Sequence, residues 1–134
     1  MTSTRNPLRA AQIRLKTATE PDREVDALIG RALYPGRCWK NSSVWMLKDE
    51  FGAGPMPAFT GDLNDAQAAT EYALPGWDWW VKRMGGVYCA AIVQEHGRVV
   101  FYCQRPHSAL ALMTAVIDAA RAREEVSALQ PGQN

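Results

Sequence analysis

Residues 59–102 constrain the fold more than any other stretch of this chain. The run FTGDLNDAQAATEYA has helical spacing and is stopped by Leu74-Pro75-Gly76. Two strand-like runs follow, WDWWVKRM and VYCAAIVQE, and His96-Gly97 then turns the chain into RVVFYC. Trp77, Trp79 and Val81 alternate with Asp78, Trp80 and Lys82, the period-2 signal of a half-buried strand. Tyr88 to Val93 is nearly all apolar, as expected of a middle strand. The stretch therefore predicts a three-stranded antiparallel meander with a helix before it. A second helix follows from His107-Ser108, with Ala109, Leu112, Met113, Val116 and Ala120 as its inner stripe.

Upstream, Asn6-Pro7 has the form of an N-cap followed by proline at the first helical position, and predicts a short helix over 7–16. Thr19 is the expected cap of a second helix over 20–33, whose apolar positions are Val25, Leu28, Ile29, Ala32 and Leu33. Asp22 and Glu24 suit its dipole, and Pro35-Gly36 ends it. Cys38-Trp39-Lys40 and Val44-Trp45-Met46-Leu47 are apolar enough for short strands, whereas FGAGPMPA is rich in breakers and reads as loop. Asp62 caps the next helix, with Asp65 placed for a weak capping box. Arg121 and Arg123 are expected to complement the dipole near the end of the last helix.

The expected class is α+β, a three-stranded antiparallel sheet between helices in an α/β/α sandwich, with an αβββα unit at 62–123. The helices of 62–73 and 108–123 are assigned to one face of the sheet and that of 20–33 to the other. Residues 1–17 form a basic N-terminal arm or short helix. Residues 18–124 form one domain, with 36–58 an ordered loop or insertion, and 125–134 a disordered tail. No internal repeat is read.

At 134 residues, 47% of them hydrophobic, the chain is long enough to bury one core without staples. A net charge of +1 gives no global attraction to nucleic acid or anionic membrane. Three cysteines without CxxC spacing argue against a disulfide scaffold and suit a reducing cytoplasm. Cys89 and Cys103, on adjacent arms of the expected hairpin, are read as small buried hydrophobes near each other. No apolar run approaches a membrane span, and the N-terminus lacks the core of a signal peptide, so the expected address is the cytoplasm.

Catalytic constellations are not legible. There is no GxSxG elbow, and His96 and His107 fall in a hairpin turn and at a helix start. Cysteine and histidine spacing matches no zinc motif. Asp22 and Asp26 stand four apart on one helix and read as a solvated first turn. Neither Gly85-Gly86 nor GAGPMP makes a phosphate-cradling loop. The expectation is a protein that is not an enzyme and takes no metal or cofactor.

The runs RLKTATEPDREVDALIGRAL, PAFTGDLNDAQAATEYALPGWDW and ALALMTAVIDAARARE resemble the small phage and prophage proteins of the phage ABA sandwich family. The resemblance covers residues 13–124 and keeps the motif order, LPGWDW with its upstream helix being the most specific piece. It departs at His107-Ser108, where the family has Thr-Pro, and over 36–56, which match nothing in the pattern. The resemblance implies an α/β/α sandwich, a phage or prophage origin and a bacterial host cytoplasm. It implies no activity.

Two binding surfaces remain to be weighed. The αβββα unit has the topology of a double-stranded-RNA-binding domain, and Arg5, Arg9, Arg14 and Lys16, with Arg105, are the cations a nucleic acid would use. One arginine at the start of the last helix is poor equipment for neutralising phosphates. Trp39, Lys40, Trp45, Lys48 and Trp80 instead place aromatic rings beside cations, as protein-binding hot spots do. The favoured expectation is a non-enzymatic accessory protein that binds a protein of host or phage, with inhibition of a host defence complex as a special case. A minor virion component, self-associating as a homo-oligomer, is the third reading.

Overall fold

The computed structural model describes residues 6–93 and 99–128. Arg5, the His96-Gly97 turn and residues 129–134 lie outside them. Among the described residues the fold is α+β, four helices with two three-stranded antiparallel sheets. Helix α1 (Pro7–Thr17) begins as expected, with the Asn6 side chain accepting from the Arg9 N–H at 3.0 Å. Its Leu8, Ala11 and Leu15 are buried against its neighbours.

Helix α2 (Arg23–Leu33) is capped by Asp22, not by Thr19. Asp22 Oδ1 accepts from the N–H groups of Glu24 (2.8 Å) and Val25 (3.4 Å), which a residue three positions earlier cannot reach. Helix α3 (Leu63–Ala73) is capped by Asp62 as expected. Asp65 forms no capping box there, because its Oδ2 accepts from the Ala58 N–H (2.9 Å) and ties down the preceding loop.

The segment expected as loop or insertion is a second sheet. β1 (Cys38–Asn41) and β2 (Val44–Asp49) follow the two apolar runs, and β3 (Gly52–Pro55) completes the order β1-β2-β3. GAGP is tolerated as a strand because it lies on the edge, where missing side chains and a missing N–H cost little. β4 (Asp78–Met84), β5 (Val87–Val93) and β6 (Val99–Arg105) form the expected meander.

Two copies of one unit emerge, where none was read from the sequence. Each is a helix capped by aspartate, a Pro-Gly stop and a three-stranded meander. Positions 22 and 62, 35–36 and 75–76, 38 and 78, and 39 and 79 correspond at a constant offset. The junctions have the same geometry. Tyr34 bonds back to Gly30 and Leu74 to Thr70, each at 2.9 Å, and Gly36 and Gly76 take φ of 80° and 86°. A left-handed residue at that point is what turns each chain out of its helix.

Helix α4 (Ser108–Ala128) is apolar almost all round over residues 109–120 and lies at the centre. It packs on β5 and β6 with one side and on α1 and α3 with another. It runs past residue 125, where a tail was expected to begin. Arg121 and Arg123 are therefore mid-helix and brace its neighbours, Arg121 donating to the Gln12 side chain and Arg123 to the Ala73 carbonyl (2.9 Å).

The 20–33 helix does not cover the far face of the β4–β6 sheet. It packs on α1, and Trp80 and Tyr102 on that far face stay exposed. The stripe Val25, Ile29 and Leu33 joins Leu8, Ala11 and Leu15 in the core, together with Leu47, Met56 and Phe59. Gly30 permits that fit, since a Cβ there would stand 2.2 Å from Met56 Sδ.

Candidate functional site

The period of two along the first sheet divides the expected aromatic site. Trp39 pairs with Met46, which pairs with Pro55, and Lys48 pairs with Ala53. These residues share an outward face with Asn41 and Val44. The Lys48 N–H donates to the Arg37 carbonyl (2.9 Å), which extends the ladder and sets Arg37 opposite Lys48. Trp39 is 41% exposed and Val44 48%, Met46 is half-buried, and Arg37, Lys48, Ala53 and Pro55 are exposed. Neither Arg37 nor Lys48 joins any of the ion pairs among the described residues. The neighbouring Asp49 carboxylate is turned to the Phe51 N–H (2.8 Å). Arg37, Val44 and Met46 were not singled out from the sequence, although alternation along VWMLKD carries the signal.

Lys40 and Trp45 belong to the opposite face, which the protein itself uses. Leu47 on that face is buried, and Cys38 and Trp45 are half-buried. The Trp45 ring lies 4.8 Å from the Arg31 guanidinium and 5.7 Å from Lys40 Nζ, measured to its centroid. Arg14, Arg23 and Glu24 help to line the open groove beside it, of about 550 Å³. Trp80 is in the other sheet, edge-on to Tyr102 at 6.1 Å with Lys82 Nζ 5.5 Å from its ring. The five residues thus lie in three places: Trp39 with Lys48 on the outward face, Lys40 with Trp45 on the opposite face, and Trp80 in the other sheet.

The cations expected for nucleic acid are dispersed as well. Arg14 is paired with Asp22 (3.2 Å) and Glu24 (3.4 Å). Arg105 donates to the carbonyls of Leu15 (3.4 Å) and Gln104 (2.7 Å). Arg9 and Lys16 are exposed on α1, and Arg5 lies outside the described residues. Among the described residues these cations form no unpaired stripe spaced for successive phosphates.

Asp22 and Asp26 are not the solvated pair expected. Asp26 is 1% exposed. Its Oδ1 accepts from the Thr60 hydroxyl (2.7 Å) and N–H (2.8 Å), and its Oδ2 from Arg23 (2.9 Å). Burial holds its pKa above the usual 3.8 against those donors. The partner, Thr60, is too distant in sequence for a helical pattern to reveal.

Cys89 and Cys103 lie on adjacent strands but on opposite faces, since Cys89 pairs with Gln104 and Cys103 with Ala90. Cys103 Sγ donates to the Ala111 carbonyl, and burial pushes its pKa to about 11. Burial also raises Cys38, so neither is poised as a thiolate. Among the described residues no three His, Cys, Asp or Glu side chains converge as a metal site, and no helix is long and apolar enough to cross a membrane. Set beside family models, curated proteins and solved structures, the chain matches none of them.

Proposed function

We propose that this protein is a non-catalytic binding module that docks a protein partner on the outward face of the β1–β3 sheet. The observation that carries the reading is the apolar row of exposed Trp39, half-buried Met46 and exposed Pro55, flanked by Val44 and closed by two cations, Arg37 and Lys48, that join no ion pair among the described residues. A large ring in apolar surroundings next to arginine is the composition of binding hot spots. Within this reading, the resemblance to phage and prophage proteins makes the partner a protein of the bacterial host or of a phage. Inhibition of a host defence complex is one form the activity takes.

The test is capture from nuclease-treated host lysate with tagged wild type, Trp39→Ala and Trp80→Ala. The expected result is one stoichiometric protein retained by wild type and Trp80→Ala and lost by Trp39→Ala. Trp39→Ala should unfold within about 1 kcal/mol of wild type, as surface substitutions do. Equal capture by all three overturns the docking face. Material that disappears on nuclease treatment would transfer the reading to nucleic acid.

A further inference from the structure

We infer that the outward face of the β1–β3 sheet takes an amphipathic helix of the partner, bearing a carboxylate that reaches Arg37 and Lys48. This rests on the reading of that face as a protein-docking surface and names what docks there.

The chain holds its own precedent. In the second unit the row that begins at the third residue after Pro-Gly is Trp79, Ile92 and Phe101. That row faces helix α4, which packs along β5 and β6, and Ile92 is fully buried. In the first unit the same count from Pro-Gly gives Trp39, Met46 and Pro55. No helix of the described chain lies on it, because the core takes the other face through Leu47. The two sheets share strand order, lead-in helix and junction geometry, so the helix-bearing row of one is the bare row of the other.

Charge decides what kind of helix fits. Arg37 and Lys48 stand side by side, and Asp49, which lines the same cleft, has its carboxylate turned to the Phe51 N–H (2.8 Å) and pairs with neither. Like charges directly opposite disfavour each other in a sheet. An acidic side chain at one end of the docking helix relieves that repulsion and fixes the helix direction along the row. An extended strand added to a sheet edge would use backbone groups and leave the Trp39 row bare.

The probe is a synthetic peptide with the sequence of residues 107–128, added to intact ¹⁵N-labelled protein and followed by amide shifts. Its acidic residues are Asp118, Glu124 and Glu125. Shifts are expected over residues 37–48 and at the Trp39 indole. Met46→Lys and Lys48→Glu in the protein should each weaken binding about tenfold or more, a change of ~1.4 kcal/mol. An Ala115→Pro peptide, which breaks the helix, should not bind. Three results overturn the inference: no shift on this face at about 1 mM peptide, equal binding of the proline peptide, or shifts confined to β4–β6. Capture that depends on Trp39, without peptide binding, would remove the helix and leave the protein-binding reading in place. Loss of both removes both.

Discussion

Thr60→Val exchanges one hydroxyl for a methyl group at a fully buried position, with little change of shape. The lost hydroxyl donates to Asp26 Oδ1 (2.7 Å) and accepts from the Asp22 N–H (2.9 Å). A hydrogen bond to a charged group contributes about 1.5–3 kcal/mol, and stripping a partly buried N–H of its partner adds about 1. The expected cost at neutral pH is about 3 kcal/mol. Its pH dependence is the sharper signature. The folded pKa of Asp26 lies above 3.8, so its proton-linked stability is fully present below 3.8 and is lost as pH rises through the folded value. The Thr60 hydroxyl lowers that folded value. Removing it moves the value further up and deepens the loss on the alkaline side. Urea unfolding of both proteins at pH 4 and pH 7.5 should therefore give a larger deficit at pH 7.5. The slope against urea should be unchanged. A deficit below about 1 kcal/mol at pH 7.5, or the same deficit at both pH values, would refute the account of Asp26 as a buried carboxylate held by Thr60.

Other expectations follow from the two units and their faces. Gly36→Ala and Gly76→Ala put a Cβ into open space at positive φ, so each should cost about 1–2 kcal/mol from backbone strain alone. Equality of the two within about 0.5 kcal/mol tests the equivalence of the junctions by chemical denaturation. Leu47→Ala should cost about 2–4 kcal/mol and Trp39→Ala less than about 1, because the first faces the core and the second faces out. Similar costs would contradict the assignment of faces. Cys103 and Cys38 should resist alkylation at pH 8 in the native protein and react once it is unfolded in urea, and oxidation should not join Cys89 to Cys103. Rapid native labelling at Cys103, or a disulfide between Cys89 and Cys103, would count against the burial and register described.

What the sequence made legible was what depends on local period and local caps. The 62–73 helix, the alternation at Trp77 to Lys82 and the apolar middle strand follow from side-chain spacing, which burial on one face imposes directly. β3 was illegible because Gly-Ala-Gly-Pro carries no propensity for a strand and is held only by pairing with β2. The repeat was hidden because its copies share the cap and the stop but few side chains between them. Asp62 and Pro75-Gly76 mark the second copy as Asp22 and Pro35-Gly36 mark the first. The candidate site was half legible. Trp39 and Lys48 follow from composition, but separating them from Lys40 and Trp45 needs the register, where a shift of one residue changes the face. Asp26 was misplaced for a related reason, since its burial depends on Thr60 across the fold.

The most direct test of the docking face is hydrogen exchange on the isolated complex, once capture has supplied the partner. Slowed exchange concentrated in residues 37–55, and absent from the same segment of Trp39→Ala under equal partner concentration, is the predicted result. Protection that instead maps to Arg9 and Lys16 on α1, or to the Trp80 and Tyr102 face of the β4–β6 sheet, would contradict it.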